Sequence, residues 1–272
     1  MAGTLTPEEL DVVDQEGVSL ATRLPQIGGD LGQIQRAARG SNEFASYFEL
    51  HIEQGPNLFR SGAPIGVVTG ITGKAGFEVT VTGASNHAGT TPMGARHDAL
   101  VSASRLVLAV QRVSAELEVC RVSTVGQLTA SPNATNVIPG TVNFSAEFRD
   151  VDHNAMAAAE TELRRAAREV EAADGVKVEI NALPATTPVP IAEDMQDLVA
   201  QAAGESGLEI QRLPSGAGHD AQAMAAITSV AMIFVPSVEG ISHSPLEFST
   251  PEACANGAQV LLDLLLIADQ RI

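Results

Sequence analysis

Between Lys74 and Pro184 the chain reads strand, helix, strand, strand, helix, strand, and few architectures accept that order. The first strand, KAGFEVTVTG, alternates Phe77, Val79 and Val81 with Glu78, Thr80 and Thr82, the period of a half-buried strand. Ala99 to Leu117 carries apolar residues at helical spacing. Strand-like runs follow at VCRVSTVGQL and TVNFSAEFRD, the second alternating Val142, Phe144, Ala146 and Phe148 with polar residues. An Ala-, Glu- and Arg-rich helix is predicted from Asn154 to Ala173, and VKVEINAL closes the set. The order is that of the split βαβ, ferredoxin-like sandwich: one antiparallel sheet with two helices on a face.

The flanks read differently. Thr6-Pro7-Glu8-Glu9 fits a capping box that opens a short helix, with Gly17 as its expected stop. A second helix is expected over Ser19 to Leu24, and the stretch from Gln26 to Gly40 mixes helix-like and loop-like pieces. FELHIEQGP is an alternating strand that ends in a Gly-Pro turn. Beyond the Pro/Thr-rich connector PATTPVP, helix and strand alternate: Ala192 to Ser206, LEIQRL, a Gly-rich loop, Ala221 to Ala226, TSVAMIFVP, and a last helix from Thr250. The continuous apolar run of TSVAMIFVP suggests a parallel sheet covered on both faces. The expected fold is therefore α/β: residues 1–73 and 186–272 form one discontinuous domain with a partly parallel sheet, and residues 74–185 form the inserted sandwich.

Composition excludes some functions. The formal charge of −17 opposes binding driven by phosphate neutralisation, so no nucleic-acid partner is expected. No apolar run spans a bilayer, and the N-terminus lacks a signal peptide's basic start and apolar core, so neither a membrane role nor secretion is expected and the location is read as cytoplasmic. Cys120 and Cys254 lie far apart, without zinc-knuckle spacing, and read as packed thiols.

Six histidines carry most of the chemical interest. His51 lies on the polar face of its strand, where it could pair with a backbone carbonyl or serve chemistry. His87 sits in SNHAGTTPM, a loop of small residues from which a ring can project. His97 and His153 look like polar residues at helix ends. His219 follows the glycines of PSGAGHDAQAM, just before a helix with Asp220 as a possible N-cap; glycines there let backbone amides approach a ligand. His243 sits in GISHSPLEFST, at the carboxyl end of the buried strand, where open α/β sheets place ligands. Arg149 could grip a carboxylate through paired hydrogen bonds, or form a cross-strand salt bridge with the neighbours of Glu147.

Taken in order, HIEQGP, NHAGTTPM, NATNVIPG followed by FRD, GAGHDA and ISHSPLE closely resemble the N-carbamoyl-L-amino-acid hydrolase, allantoate amidohydrolase and β-ureidopropionase family. These are binuclear metal amidohydrolases of the aminoacylase and carboxypeptidase-like peptidase group, and the resemblance covers essentially the whole chain. It implies that residues 74–185 are a lid and dimerisation domain, so a homodimer is expected, with some lid residues acting across its interface. It implies two divalent ions (zinc, manganese, nickel or cobalt), with His51 and His243 each a ligand of one. It also implies that His87 polarises the scissile carbonyl. Gln54, Asn136, Arg149, Gly218 and His219 then contact a small ureido-carboxylate substrate.

The implied reaction is hydrolysis of the ureido C–N bond of an N-carbamoyl-L-amino acid, with allantoate as the alternative substrate. One departure matters. The family's His-x-Asp, its bridging Asp and its Glu-Glu pair do not appear; the Glu8-Glu9 pair belongs to the capping box. Roughly the N-terminal third of the family pattern is therefore expected to be missing. Weak metal binding, no activity of this chain alone and an exposed apolar patch follow as expectations. A non-catalytic, dimerising remnant is the competing reading.

Overall fold

A computed structural model describes all residues except Met1, Thr4, Gln15, Asn42, Arg271 and Ile272. In chain order the strands are β1 (Ser46–Ile52), β2 (Ile65–Ile71), β3 (Gly73–Thr82), β4 (Asn86–His87), β5 (Val122–Thr124), β6 (Leu128–Ser131), β7 (Val137–Ile138), β8 (Thr141–Asp150), β9 (Lys177–Ala182), β10 (Val189–Pro190), β11 (Ile210–Ser215) and β12 (Ser229–Val235). The helices are α1 (Pro7–Leu10), α2 (Leu20–Gln26), α3 (Asn57–Ser61), α4 (Ala99–Ala115), α5 (His153–Asp174), α6 (Glu193–Glu205), α7 (Asp220–Met224) and α8 (Pro251–Asp269). The chain divides into two compact units, Met1–Ile71 with Pro190–Ile272, and Thr72–Val189.

In the discontinuous unit the sheet runs β1-β12-β2-β10, with β11 also on β2. β1 runs parallel to β12 and β11 parallel to β2, but β12 meets β2 antiparallel. The sheet is therefore mixed, which corrects the parallel sheet expected from the apolar run. That run reports burial on both faces, which Val230 to Val235 have in full, and carries no information on strand direction. Along β1 the side chains alternate between faces. Leu50 points at α8, where Gly257 admits it: a Cβ on Gly257 would sit 2.7 Å from Leu50 Cδ1 and 2.6 Å from Val235 Cγ1. Glu49 and His51 therefore share the opposite face.

The N-terminal segment shows local capping. Thr6 Oγ1 accepts the Glu9 N–H while Glu9 Oε2 accepts the Thr6 N–H, completing the capping box. Helix α1 then stops at Leu10, short of Gly17, because the chain turns back through a Val13–Ser19 bridge. Asp14 receives the backbone N–H groups of Glu16 and Val18 inside that turn. The segment without a clear sequence signal holds a 3-10 turn over Leu31–Ala37. On α8, Leu262, Leu265 and Leu266 are each about half exposed, as is Phe248 of the preceding loop, and Leu246 beside it is more so.

In the second unit β3 pairs with β8 along ten residues and with β9 on its other side, all antiparallel, while β5 and β6 both pair with β8. Taken as four successive positions, the sheet order is second, third, first, fourth. Phe77, Val79, Val81, Phe144 and Phe148 bury their side chains with Leu106 of α4 and Leu163 of α5 in one core. The Phe77 and Phe148 rings pack at 6.0 Å and 60°, a tilted pair. Such a pair adds ~1 kcal/mol beyond area burial. Asp98 and Asp152 cap α4 and α5 through their carboxylates.

Candidate metal centre

His51 is held from behind. Its Nδ1 lies 2.9 Å from the Ile52 carbonyl oxygen, which can only accept, so Nδ1 carries the proton. Nε2 is left as a lone pair, the state a metal-ligating imidazole needs. The two readings of His51 open in the sequence are thus compatible, since the carbonyl pairing sets the tautomer that chemistry would use.

Facing His51 is His219. Their ring centroids are 4.7 Å apart at 71°, edge to face. His219 is the N-cap residue of α7 and makes no side-chain cap, so the N-cap expected at Asp220 is displaced by one residue. The capping acceptor comes from β1 instead: Glu49 Oε2 takes the Ala221 N–H at 2.7 Å. The group that this helix start receives is thus the chain's own carboxylate. Burial pushes the Glu49 carboxyl up, but the His219 hydrogen bond, the Ala221 N–H and the nearby imidazoles outweigh it and hold it below the usual carboxylate range.

Ser215, at the end of β11, completes the group. Its hydroxyl donates to the Ala217 carbonyl at 3.0 Å and accepts the Ala217 N–H at 3.1 Å. His219 Nε2 lies 2.6 Å from the same oxygen. Which of the two donates in this contact follows from the tautomer of the ring. His219 Nδ1 is buried and faces Glu49 Oε1 at 3.5 Å. Glu49, His51 and His219 each offer one ligand atom, all within 4.8 Å of one another. Gly218 precedes His219 in the turn that Ser215 and Ala217 pin.

The loop after β12 brings in the other residues of this unit. The Gln54 N–H donates to Ser237 Oγ at 3.0 Å, and Gln54 Nε2 to Ser242 Oγ at 3.1 Å. Ser242 Oγ and the His243 N–H both donate to Glu247 Oε2, at 2.6 and 2.9 Å. These two bonds, with the nearby His243 and His51 imidazoles, hold the Glu247 carboxyl below its usual range. Gln54 and His243 both adopt left-handed backbone, with φ of 56° and 55°. The structure thus joins Gln54 to the His243 loop and sets His51 against His219.

The second unit holds the remaining candidates. His87 pairs with Val137 in the β4–β7 ribbon, and the Ala88 N–H donates to the Asn136 carbonyl at 3.0 Å, so His87 and Asn136 lie side by side. His87 Nδ1 accepts the N–H groups of Gly89 and Thr90 at 3.0 and 3.2 Å. Its proton is therefore on Nε2, which makes the exposed ring edge a donor. Arg149 Nε pairs with Glu147 Oε1 at 2.7 Å, two residues away on the same face of β8, where the salt-bridge alternative expected a partner across the strands. His97 Nδ1 lies 2.9 Å from the Asp174 carbonyl, a structural contact, and His153 is the first residue of α5.

Two residues were missed in the sequence. Glu49 stands two positions before His51 on the same strand face, a signal open to alternation alone. Ser215 gave none, because its role depends on the turn that follows it.

The chain resembles known proteins in sequence and fold. A model of the family described as peptidase family M20/M25/M40 matches residues 16–267. An N-carbamoyl-L-amino acid amidohydrolase of Geobacillus stearothermophilus is 39% identical over 261 residues, covering 96% of this chain and 64% of the relative. An allantoate amidohydrolase of Bacillus subtilis (strain 168) is 36% identical over 252 residues, covering 93% of this chain and 61% of the relative. The crystal structure of an amidase of the hydantoinase/carbamoylase family from Burkholderia multivorans superimposes with a TM-score of 0.86 at 38% identity, covering 98% of this chain and 64% of that one. The chain therefore spans just under two thirds of the length of these relatives. It belongs to peptidase family M20/M25/M40.

Proposed function

We propose that this chain carries part of a metal-dependent amidohydrolase that cleaves the ureido C–N bond of N-carbamoyl-L-amino acids. The observation that carries the reading is the pair of fixed tautomers: His51 presents a bare Nε2, as a metal ligand must, and His87 presents an Nε2–H, as a carbonyl-polarising group must. Two N-carbamoyl-L-amino acid amidohydrolases, 39% and 37% identical to the chain, support it. His51 and His243 would each hold one divalent ion; when bound, such ions supply Lewis acidity and lower the pKa of water.

The chain's own residues would do the rest. His87 Nε2–H donates to the substrate carbonyl oxygen as negative charge develops there. Asn136 and Arg149 bind the substrate carboxylate, and Gln54, Gly218 and His219 line the approach to the reacting group. Water adds to the ureido carbon, the C–N bond breaks and the leaving nitrogen takes a proton. The residue that moves this proton is expected from the acidic pair of the family pattern, outside this sequence. In this reading residues 74–185, within the compact unit Thr72–Val189, are a ferredoxin-like lid and dimerisation domain, a reading the strand order supports. The protein acts as a homodimer in the cytoplasm. Among the described residues no helix is long and apolar enough to cross a membrane.

Allantoate is the second reading, favoured by allantoate amidohydrolases of Bacillus subtilis and Escherichia coli at 36% and 31% identity. Ammonia release is the test, with zinc, manganese, nickel or cobalt, on this chain and on a form extended upstream. The extended form is expected to release ammonia from N-carbamoyl-L-amino acids and this chain alone is not. Faster turnover of allantoate moves the assignment to the second reading. No release from any ureido substrate by the extended form removes both and leaves a non-catalytic dimerising protein.

A further inference from the structure

His87 is exposed on a loop of small residues, yet a half-buried cation, Arg96, grips that loop from its far end. We propose that Arg96 is a positioning residue that fixes the tautomer of His87, acting through a single peptide plane. The inference rests on the reading of His87 as the carbonyl-polarising group and names what sets its donor edge.

Arg96 Nη2 donates to the Ala88 carbonyl at 2.6 Å and to the Thr91 carbonyl at 3.0 Å, and its Nε reaches the same Thr91 oxygen at 3.1 Å. The Ala88 carbonyl and the Gly89 N–H belong to one planar peptide. Arg96 holds the oxygen of that plane, and the N–H on its other side goes to His87 Nδ1 at 3.0 Å. A peptide whose oxygen meets a guanidinium is also polarised into a stronger N–H donor. The Thr90 N–H reaches the same Nδ1 at 3.2 Å. The two amides that make Nδ1 an acceptor therefore lie between the two carbonyls that Arg96 grips. Thr91 ties the loop back to its start, since its N–H and hydroxyl donate to the His87 carbonyl at 3.2 and 2.8 Å. Gly89 leaves room for the ring, because an added Cβ would stand 3.3 Å from His87 Cε1. Without Arg96 the Ala88–Gly89 peptide is free to turn, and the ring can carry its proton on Nδ1. Nε2 would then present a lone pair, which repels a developing oxyanion instead of stabilising it. Lysine is no substitute, because the clamp uses the planar fork of a guanidinium and an ammonium is a point charge.

The tautomer is read on this whole chain by nitrogen NMR of the His87 ring at mildly alkaline pH, together with hydrogen exchange at the Gly89 and Thr90 amides. The unsubstituted chain is expected to hold the ring proton on Nε2. In Arg96→Lys and Arg96→Gln the ring should show a mixture of tautomers, and the two amides should exchange at least ~10-fold faster. Helices α4 and α5 should keep their exchange rates, which separates a released loop from a destabilised unit. Arg112→Gln, at an exposed ion pair of the same unit, should change neither readout. In the form extended upstream, both Arg96 variants should lower kcat for an N-carbamoyl-L-amino acid by at least ~10-fold, with little change in KM, because the groups that bind the substrate carboxylate are untouched. An unchanged His87 tautomer in both variants overturns the role of Arg96. So does full kcat in a variant whose tautomer has shifted. An extended form that hydrolyses no ureido substrate removes the proposed function instead, and the ring-nitrogen signals of this chain still decide whether Arg96 sets the tautomer.

Discussion

Glu53 Oε1 accepts both the backbone N–H and the side-chain amide of Asn57, at 2.9 and 2.7 Å, while Glu53 Oε2 accepts the Leu58 N–H at 2.8 Å. One buried carboxylate thus caps α3 and ties the end of β1 to the turn that follows it. Glu53→Ala leaves three donors without this acceptor, and two of them belong to the first turn of the helix. A loss of about 2–4 kcal/mol in unfolding free energy is expected from chemical denaturation. Glu53→Gln keeps the shape but not the charge, and should cost about half as much. Equal stability of Glu53→Ala and the unsubstituted chain would show that water replaces the carboxylate without penalty.

Gly257 lets α8 lie against β1 and β12. Its added Cβ would meet Val235 Cγ1 at 2.6 Å and Leu50 Cδ1 at 2.7 Å, well inside van der Waals contact. Gly257→Ala should therefore destabilise by ~1–3 kcal/mol even though alanine is the better helix former. Gly204 on α6 provides the contrast, because an added Cβ there meets nothing within 4 Å. Gly204→Ala should raise stability by ~0.5–1 kcal/mol. Paired thermal melts decide the matter, and shifts of the same sign would contradict the close approach of α8.

How much of this was legible beforehand depends on what each signal measures. Alternation placed β3 and β8 well, because antiparallel strands with one wet face write their orientation into the sequence. TSVAMIFVP gave β12 but not its neighbours, since a strand buried on both faces reads the same whichever way its partners run. Thr6 to Glu9 showed the start of α1, yet the stop at Leu10 depends on the Val13–Ser19 bridge, a contact with no local signature. At the candidate site the histidines were legible one by one. Their grouping was not: Ser215 and His219 join Glu49 across more than a hundred and sixty residues of chain, and only the fold brings them together.

Gly240 holds the loop that carries His243. Its φ is +72°, and an added Cβ would fall 2.5 Å from Pro56 N and 2.7 Å from the Gly55 carbonyl carbon. Gly240→Ala combines left-handed strain with a clash against backbone that cannot rotate away. The loop should be pushed off the Gly55–Pro56 turn, weakening the Gln54–Ser242 contact. Faster amide hydrogen exchange is expected over residues 237–249 and around Gln54, with α4 and α5 unaffected. Uniform exchange across both units would mean global rather than local destabilisation.

The two thiols should differ sharply in reactivity. Burial pushes the Cys120 thiol up and outweighs the opposing Ser114 hydrogen bond, while the nearby Asp150 charge adds to the rise and the bond to the Val122 carbonyl opposes it. Cys254 is exposed on α8. The thiolate is the attacking form, so a raised pKa and a closed environment both slow Cys120. Under native conditions at mildly alkaline pH, an alkylating reagent should label Cys254 to completion while Cys120 stays largely unmodified. Denaturation should then release Cys120 at the rate of a free thiol. Mass spectrometry of the labelled peptides reads both, and early labelling of Cys120 would show that the core beneath α4 opens to solvent.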